Sequence, residues 1–260
     1  MNKVYFIGAG PGDPELITVK GMKIIAKSDV IIYAGSLVNK DILNYASNMC
    51  KFYDSSKMNL LEIVDTIEKY YKKGKVVTRL HTGDPSIYGA IYEQMLELDK
   101  RGIPYEIIPG VTSLFAAAAK LKIELTAPEI AQTVTISRTE GRTPVPKNES
   151  IDMLASHGGT FAFYLSATGG DRLKDTFLKH GWDKDTPVAI CYKVSWEDEK
   201  IIITTLEKLT EILEENKINK HAIILIGEVI DKKNIITYSK LYDKDFEHEF
   251  RKKNFCNSDN

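Results

Sequence analysis

The sequence of 260 residues predicts an α/β fold built from two α/β domains. Three observations carry that prediction. Short apolar runs alternate with helical stripes from Val4 to Lys120, the texture changes to closely spaced strands beyond Pro128, and glycine-proline loops follow the strands. The expected boundaries are 1–120 for an N-terminal domain with a mostly parallel sheet, 121–245 for a C-terminal domain with a mixed sheet, and 246–260 for a frayed tail.

Val4-Tyr5-Phe6-Ile7 reads as a buried strand, ended by Gly8-Ala9-Gly10-Pro11-Gly12. Thr18 is placed to cap a helix over Val19–Lys27, with Met22, Ile25 and Ala26 at helical spacing. Val30–Tyr33 is a second strand. Leu60–Tyr71 is an amphipathic helix whose stripe is Leu60, Leu61, Val64, Ile67 and Tyr71. A third strand covers Lys75–Leu80, and a helix over Ile87–Lys100 turns Ala90, Ile91, Met95 and Leu98 inward. Tyr105–Ile108 is the fourth strand, and Gly110-Val111-Thr112-Ser113 opens a small-residue helix through Ala119. This alternation implies parallel pairing with right-handed crossovers.

Beyond Pro128, strands are expected at Thr133–Ser137, Thr160–Leu165, Val188–Tyr192, Lys200–Thr204 and Ala222–Ile226. Helices are expected at Ser150–Ser156, Asp171–His180 and Leu206–Glu215. Only Glu197-Asp198-Glu199 and a few neighbours separate two of these strands, so they are expected to pair as a hairpin.

Lys plus Arg number 35 and Asp plus Glu 36, a formal net charge of −1, so the basic excess of a nucleic-acid binder is missing. No apolar stretch approaches the ~20 residues of a membrane span, and no charged segment followed by an apolar one opens the chain. Cys50, Cys191 and Cys256 are odd in number and far apart, which suits a reducing compartment; a cytoplasmic protein is expected. The five histidines show no metal-ligand spacing, and neither a Gly-x-Ser-x-Gly elbow nor a Walker-type Gly-Lys-Ser is present.

Chemistry is therefore sought in the loops. Gly8-Ala9-Gly10-Pro11-Gly12-Asp13-Pro14 stands where a dinucleotide fingerprint would stand, but its third glycine position is Asp13, whose carboxylate repels a pyrophosphate. The second strand also ends without an acidic residue to hold a ribose. A nicotinamide site is thus disfavoured, leaving a ligand-free tight turn or the floor of a substrate trough. In His81-Thr82-Gly83-Asp84-Pro85, Asp84 suits either a ligand or the cap of the following helix with Pro85 in its first turn. His81 reads as a structural residue or a base. Thr112 and Ser113 after Pro109-Gly110 suit a polar ligand or a plain cap. Arg138 and Arg142 bracket Gly141 before the rigid Thr143-Pro144-Val145-Pro146, as a solvated linker or as forks for carboxylates and phosphates. Three such loops at strand carboxyl ends point to one shared cleft.

Together the glycine-proline opening, Thr82-Gly83-Asp84-Pro85 with Tyr88-Gly89, and Pro109-Gly110-Val111-Thr112-Ser113 resemble the tetrapyrrole (corrin and porphyrin) methylases over Val4–Val229. Tyr33-Ala34-Gly35-Ser36-Leu37-Val38, Glu124-Leu125-Thr126-Ala127-Pro128-Glu129 and Gly141-Arg142-Thr143-Pro144-Val145-Pro146 are similar to the branch that methylates C-11 of precorrin-4 in cobalamin biosynthesis. The resemblance implies two α/β domains in a non-Rossmann fold, S-adenosylmethionine as methyl donor, a tetrapyrrole acceptor with or without cobalt, and a homodimer. It places the donor against Pro11, Thr82, Gly83, Asp84, Ile87, Thr112, Ser113, Leu165 and Ala189, and the acceptor against Gly10, Gly12, Asp13, Arg138 and Arg142. Arg79 and Lys147 are further candidates for its carboxylates, and His81 or Asp84 for a base. The resemblance also implies one departure: relatives outside this branch often carry a Glu-Asn-Gly-Thr-like stretch after the corresponding strand, where this chain has Tyr192-Lys193-Val194-Ser195. The alternatives are a sister methylase acting at another ring carbon and a non-catalytic tetrapyrrole-binding protein, which would take up no S-adenosylmethionine.

Overall fold

The structure is a computed structural model that describes residues 3–141, 143–231, 233, 239–243, 246–249 and 251. Its first part runs β1 (Val4–Gly8), α1 (Val19–Ile25), β2 (Val30–Tyr33), β3 (Lys51–Asp54), α2 (Leu60–Tyr71), β4 (Val77–His81), α3 (Tyr92–Lys100), β5 (Tyr105–Ile108) and α4 (Ser113–Leu121). The strands form one sheet in the order β3-β2-β4-β1-β5, and each of its pairings is parallel. Strands covered on both faces need apolar residues on both, which is why Val30–Tyr33 is an unbroken apolar run and wholly buried. On one face Val4, Phe6 and Ile32 pack with Val64 and Ile67 of α2; on the other Ile7, Ile31 and Leu80 pack with Ile25 of α1.

The helix starts follow from their caps. The Thr18 hydroxyl accepts from the Gly21 amide at 3.1 Å, and Asn59 and Glu62 form a reciprocal capping box at the head of α2. Two expectations change. The buried stripe of α2 is Ile63, Val64, Ile67 and Tyr70, while Leu61 faces solvent. And α3 begins at Tyr92, five residues beyond the expected Ile87, because Tyr88 and Ala90 take left-handed φ of 53° and 48°. Between them a Cβ on Gly89 would stand 2.1 Å from the Pro85 carbonyl oxygen, so this tight turn admits only glycine there. Strand β3 was not anticipated: Lys51, Phe52 and Asp54 are exposed on a sheet edge and leave no apolar pattern.

The second part runs β6 (Val134–Arg138), α5 (Ile151–Ala155), β7 (Thr160–Tyr164), α6 (Gly170–Lys179), β8 (Pro187–Tyr192), β9 (Lys200–Thr205), α7 (Leu209–Glu215) and β10 (Ala222–Ile226). Its sheet has the order β6-β7-β10-β8-β9, with β6 parallel and β10 antiparallel to β7, so it is mixed as expected. Phe161 and Phe163, two residues apart on one face of β7, meet Phe177 of α6 edge-on at 5.1 and 5.8 Å between ring centroids.

The chain divides into two compact units. The first ends at Lys120 but also takes in Cys191–Ile201 and His221–Ile223; the second comprises Leu121–Ile190, Ile202–Lys220 and the chain from Ile224. The return of residues 191–201 to the first unit is absent from the sequence reading, which expects only a hairpin turn there. Near the end, the Arg251 guanidinium donates to the carbonyls of Leu241, Asp243 and Phe246 at 2.8, 2.6 and 3.0 Å, a local order that the patternless charged stretch does not announce. Among the described residues no helix is long and apolar enough to cross a membrane.

Candidate functional site

Parallel pairing brings the carboxyl ends of β1, β4 and β5 side by side, with Gly8 opposite His81 and Ile7 opposite Ile108. The loops that leave them are fused by backbone contact. The Ala9 amide donates to the His81 carbonyl at 2.7 Å, and Gly10 and Gly83 exchange hydrogen bonds of 3.3 and 2.8 Å. A Cβ on Gly8 would lie 2.5 Å from the Gly83 carbonyl oxygen, and one on Gly110 would lie 2.2 Å from the same atom. Three main chains thus meet where no side chain fits at Gly8 or Gly110, while Gly83 is glycine for its left-handed φ of 58°. On its other side Gly83 is open: a Cβ there would meet only the Thr112 Cα, at 3.7 Å. Gly83 and Thr112 therefore border the same space.

Asp84 binds this junction together. One carboxylate oxygen accepts from the Ser86 amide at 2.8 Å, and the other from the Gly110 amide at 2.8 Å. The capping alternative is corrected here, since no helix starts at Asp84 and its second bond crosses to another loop. With both oxygens engaged, Asp84 is a staple between loops and a poor candidate for a base. His81 is also set aside as a base. It is 3% exposed, stacks on Phe6, and burial, reinforced by Arg79, lowers its pKa to about 3. Its ring is neutral at physiological pH and holds a proton too weakly to abstract one. Arg79, offered for the acceptor carboxylates, is 5% exposed; its guanidinium donates to Gln94 and to the Ile32 carbonyl, both at 3.1 Å, and desolvation lowers its pKa to about 10. It holds the sheet's interior together and offers no face to a ligand.

The remaining first-unit candidates stay within this neighbourhood. Thr82 is exposed at the tip of β4, Ile87 is half-buried in the turn, and Thr112 stands directly before α4 with its carbonyl accepting from Phe115 and Ala116 at 3.1 and 3.2 Å. Ser113 is the first residue of that helix. In the glycine-proline loop, Gly10, Pro11 and Gly12 are buried. The Asp13 carboxylate accepts from the Glu15 amide at 2.9 Å and so caps the short 3-10 helix Pro14–Leu16.

In the second unit, Arg138 stands at the end of β6, and its guanidinium donates to the carbonyls of Thr139, Thr143 and Pro144 at 3.3, 3.2 and 2.8 Å. It shapes its own loop while keeping its positive charge. Beside it opens a cleft of about 240 Å³ bordered by Arg138, Glu140, Lys147, Ser150 and Arg172. Arg172 reaches it from α6 and pairs with Glu140 at 3.2 Å. Arg172 lies 34 residues from Arg138 in sequence, so no local motif announces it. Arg142 lies outside the described residues. Leu165 is 72% exposed at a left-handed φ of 52°, and Ala189 is fully buried within β8.

Comparison with known proteins agrees with the loop geometry. A family model described as Tetrapyrrole (Corrin/Porphyrin) Methylases matches residues 3–210. A cobalt-precorrin-4 C(11)-methyltransferase of Methanocaldococcus jannaschii is 54% identical over 250 residues, covering 96% of each chain. The X-ray structure of a cobalt precorrin-4 methyltransferase superposes with a TM-score of 0.86 at 48% identity, covering 88% of this chain and 96% of that one. A uroporphyrin-III C-methyltransferase of Thermus thermophilus, solved with S-adenosylhomocysteine, superposes with a TM-score of 0.74 at 26% identity, covering 88% and 99% of the two chains.

Proposed function

The chain belongs to the tetrapyrrole (corrin/porphyrin) methylases, and from that premise we infer that it methylates C-11 of cobalt-precorrin-4 in cobalamin biosynthesis. It is an S-adenosylmethionine-dependent C-methyltransferase. The observation that carries this reading is similarity to cobalt-precorrin-4 C(11)-methyltransferases along almost the whole of both chains. S-adenosylmethionine supplies a methyl on a cationic sulfur, already a good leaving group, so the protein needs no side-chain nucleophile. Its task is to hold donor and acceptor in line and to keep water out, which is worth about 7–11 kcal/mol in well-oriented reactions.

The residues present suit such a donor. The loops at 82–87 and 109–113 carry neither lysine nor arginine to repel a sulfonium, and the open side of Gly83 against Thr112 leaves room for a flat ligand along the main chain. We assign the donor to Thr82, Gly83, Ile87, Thr112 and Ser113, with Asp84 holding the two loops at fixed separation and Pro11 at the margin. The second unit's candidates are Leu165 and Ala189. Gly10, Gly12 and Asp13 form the acceptor's floor, and Arg138, Lys147 and Arg172, three cations against the single Glu140, meet its acetate and propionate groups. A cytoplasmic homodimer is the assembly we propose: the family resemblance supports the dimer, and the buried free thiols of Cys50 and Cys191 support the reducing compartment.

Incubation with cobalt-precorrin-4 and methyl-labelled donor tests the reaction. Mass spectrometry is expected to show one added methyl and carbon NMR to place it at C-11. A methyl at another ring position would make this a sister enzyme, and donor uptake failing altogether would leave only a tetrapyrrole binder.

A further inference from the structure

The segment between β8 and β9 is more than a hairpin turn. It lies in the first unit and touches each residue of the glycine-proline loop from Pro11 to Asp13. The Trp196 indole donates its Nε1–H to the Pro11 carbonyl at 2.9 Å, and Ser195 Oγ accepts from the Asp13 amide at 2.9 Å. The indole also covers Gly12 so closely that a Cβ there would fall 2.2 Å from the ring's Cδ1. Gly12 is thus glycine because of Trp196.

The segment is itself braced. Lys193 and Ser195 hold left-handed φ of 45° and 67°, a conformation that non-glycine residues keep only when their surroundings impose it. At Ser195, Glu199 holds it, one carboxylate oxygen accepting from the Ser195 amide at 2.6 Å and the other pairing with Lys120 at 3.1 Å, while the Lys193 amide donates to the His221 carbonyl at 2.8 Å. Lys120 is in the last turn of α4, which starts at Ser113, directly after the Thr112 that faces Gly83. Lys193 adds an ion pair to Asp198 and lies 5.7 Å from the Trp196 ring centroid.

We propose that Ser195, Trp196 and Glu199 form a latch that positions the glycine-proline loop for the acceptor and ties it to the helix that opens at the donor loop. Trp196 is the principal positioning residue and acts on the acceptor through Pro11 and Gly12. The inference rests on the methyltransferase reading above.

The test combines absorbance titration of cobalt-precorrin-4, steady-state kinetics and calorimetry of S-adenosylhomocysteine binding. Trp196→Phe keeps a ring over Gly12 but removes the donated hydrogen bond. It is expected to raise the acceptor's dissociation constant and KM about five- to tenfold, the range of one buried hydrogen bond, while donor affinity stays within about twofold. Gly12→Ala in the wild-type background is expected to lower kcat/KM for the acceptor at least as much, and to add nothing in the Trp196→Ala background, because the two changes break one contact. Acceptor binding by Trp196→Phe equal to wild type, or full additivity of Gly12→Ala and Trp196→Ala, overturns the latch. So does a parallel loss of donor affinity and melting temperature, which marks a merely structural indole. A wild type that binds the tetrapyrrole without methylating it overturns the activity reading instead, and the binding comparison still decides the latch.

Discussion

At the scale of the residue, the site is built from side chains that hold the backbone in place, with little sign of acid-base chemistry. Asp84 places both carboxylate oxygens on main-chain amides, those of Ser86 and Gly110. Its replacement leaves two donors at a loop junction unpaired, and hydrogen bonds to a charged group contribute about 1.5–3 kcal/mol each. Asp84→Ala is expected to weaken S-adenosylhomocysteine binding at least tenfold by calorimetry. An unchanged dissociation constant would remove Asp84 from the donor's support. His81 makes a different prediction. Its folded-state pKa, about 3, lies below the ordinary value of 6.5, so the folded protein takes up its proton later than the unfolded chain does. Its burial therefore carries no protonation penalty above pH 6.5, and stability falls progressively as the pH drops from there toward 3. His81→Phe, which keeps an aromatic contact with Phe6, is expected to flatten that acid limb in denaturant titrations from pH 7 to 4. Parallel curves for the two proteins would show that His81 is protonated inside the fold.

At the scale of the element, loops leaving parallel strands are fixed by contacts across the sheet. Two sequence stretches illustrate how far pattern reading extends. Val30–Tyr33 and Leu60–Tyr71 coincide with their elements at both ends, because a doubly buried strand and a capped amphipathic helix each leave a periodic signature. Lys51–Asp54 leaves none, since an exposed edge strand is held by pairing with β2 and not by its own burial. In the second unit the element of interest is the loop after β6, which Arg138 braces through three carbonyls. A lysine keeps the charge but lacks the planar fork that reaches them. Arg138→Lys is thus expected to raise the acceptor KM several-fold, nearly as much as Arg138→Ala. Full activity of the lysine variant in steady-state assays would reduce Arg138 to a point charge beside Lys147 and Arg172.

At the scale of the whole molecule, ligand binding is linked to stability. A ligand bound only by the folded state at about 100 times its dissociation constant stabilises by about 2.7 kcal/mol. For a chain of this size that corresponds to a rise of roughly 5–10 °C in melting temperature. S-adenosylhomocysteine is expected to give such a rise in a thermal-shift assay, and NADH none. A response to NADH would restore the dinucleotide reading that Asp13 argues against. The near-neutral balance of 35 basic and 36 acidic residues leaves no net charge to draw in an anionic macrocycle, so the acceptor site proposed above relies on the local cluster of Arg138, Lys147 and Arg172.

The amino-acid sequence alone determined the α/β class, the order of most strands and helices, and the family, because periodicity and glycine-proline motifs are local and survive as spacing along the chain. It also marked the loops that carry Gly8, Gly83 and Gly110. The tertiary structure decided which backbone atoms those glycines make room for, that Asp84 joins two loops, and that His81 and Arg79 are buried away from ligands. It alone brought Trp196 back onto Gly12 across 184 positions of the chain, since such a contact arises from the path of the backbone in space and leaves no periodic trace in either segment.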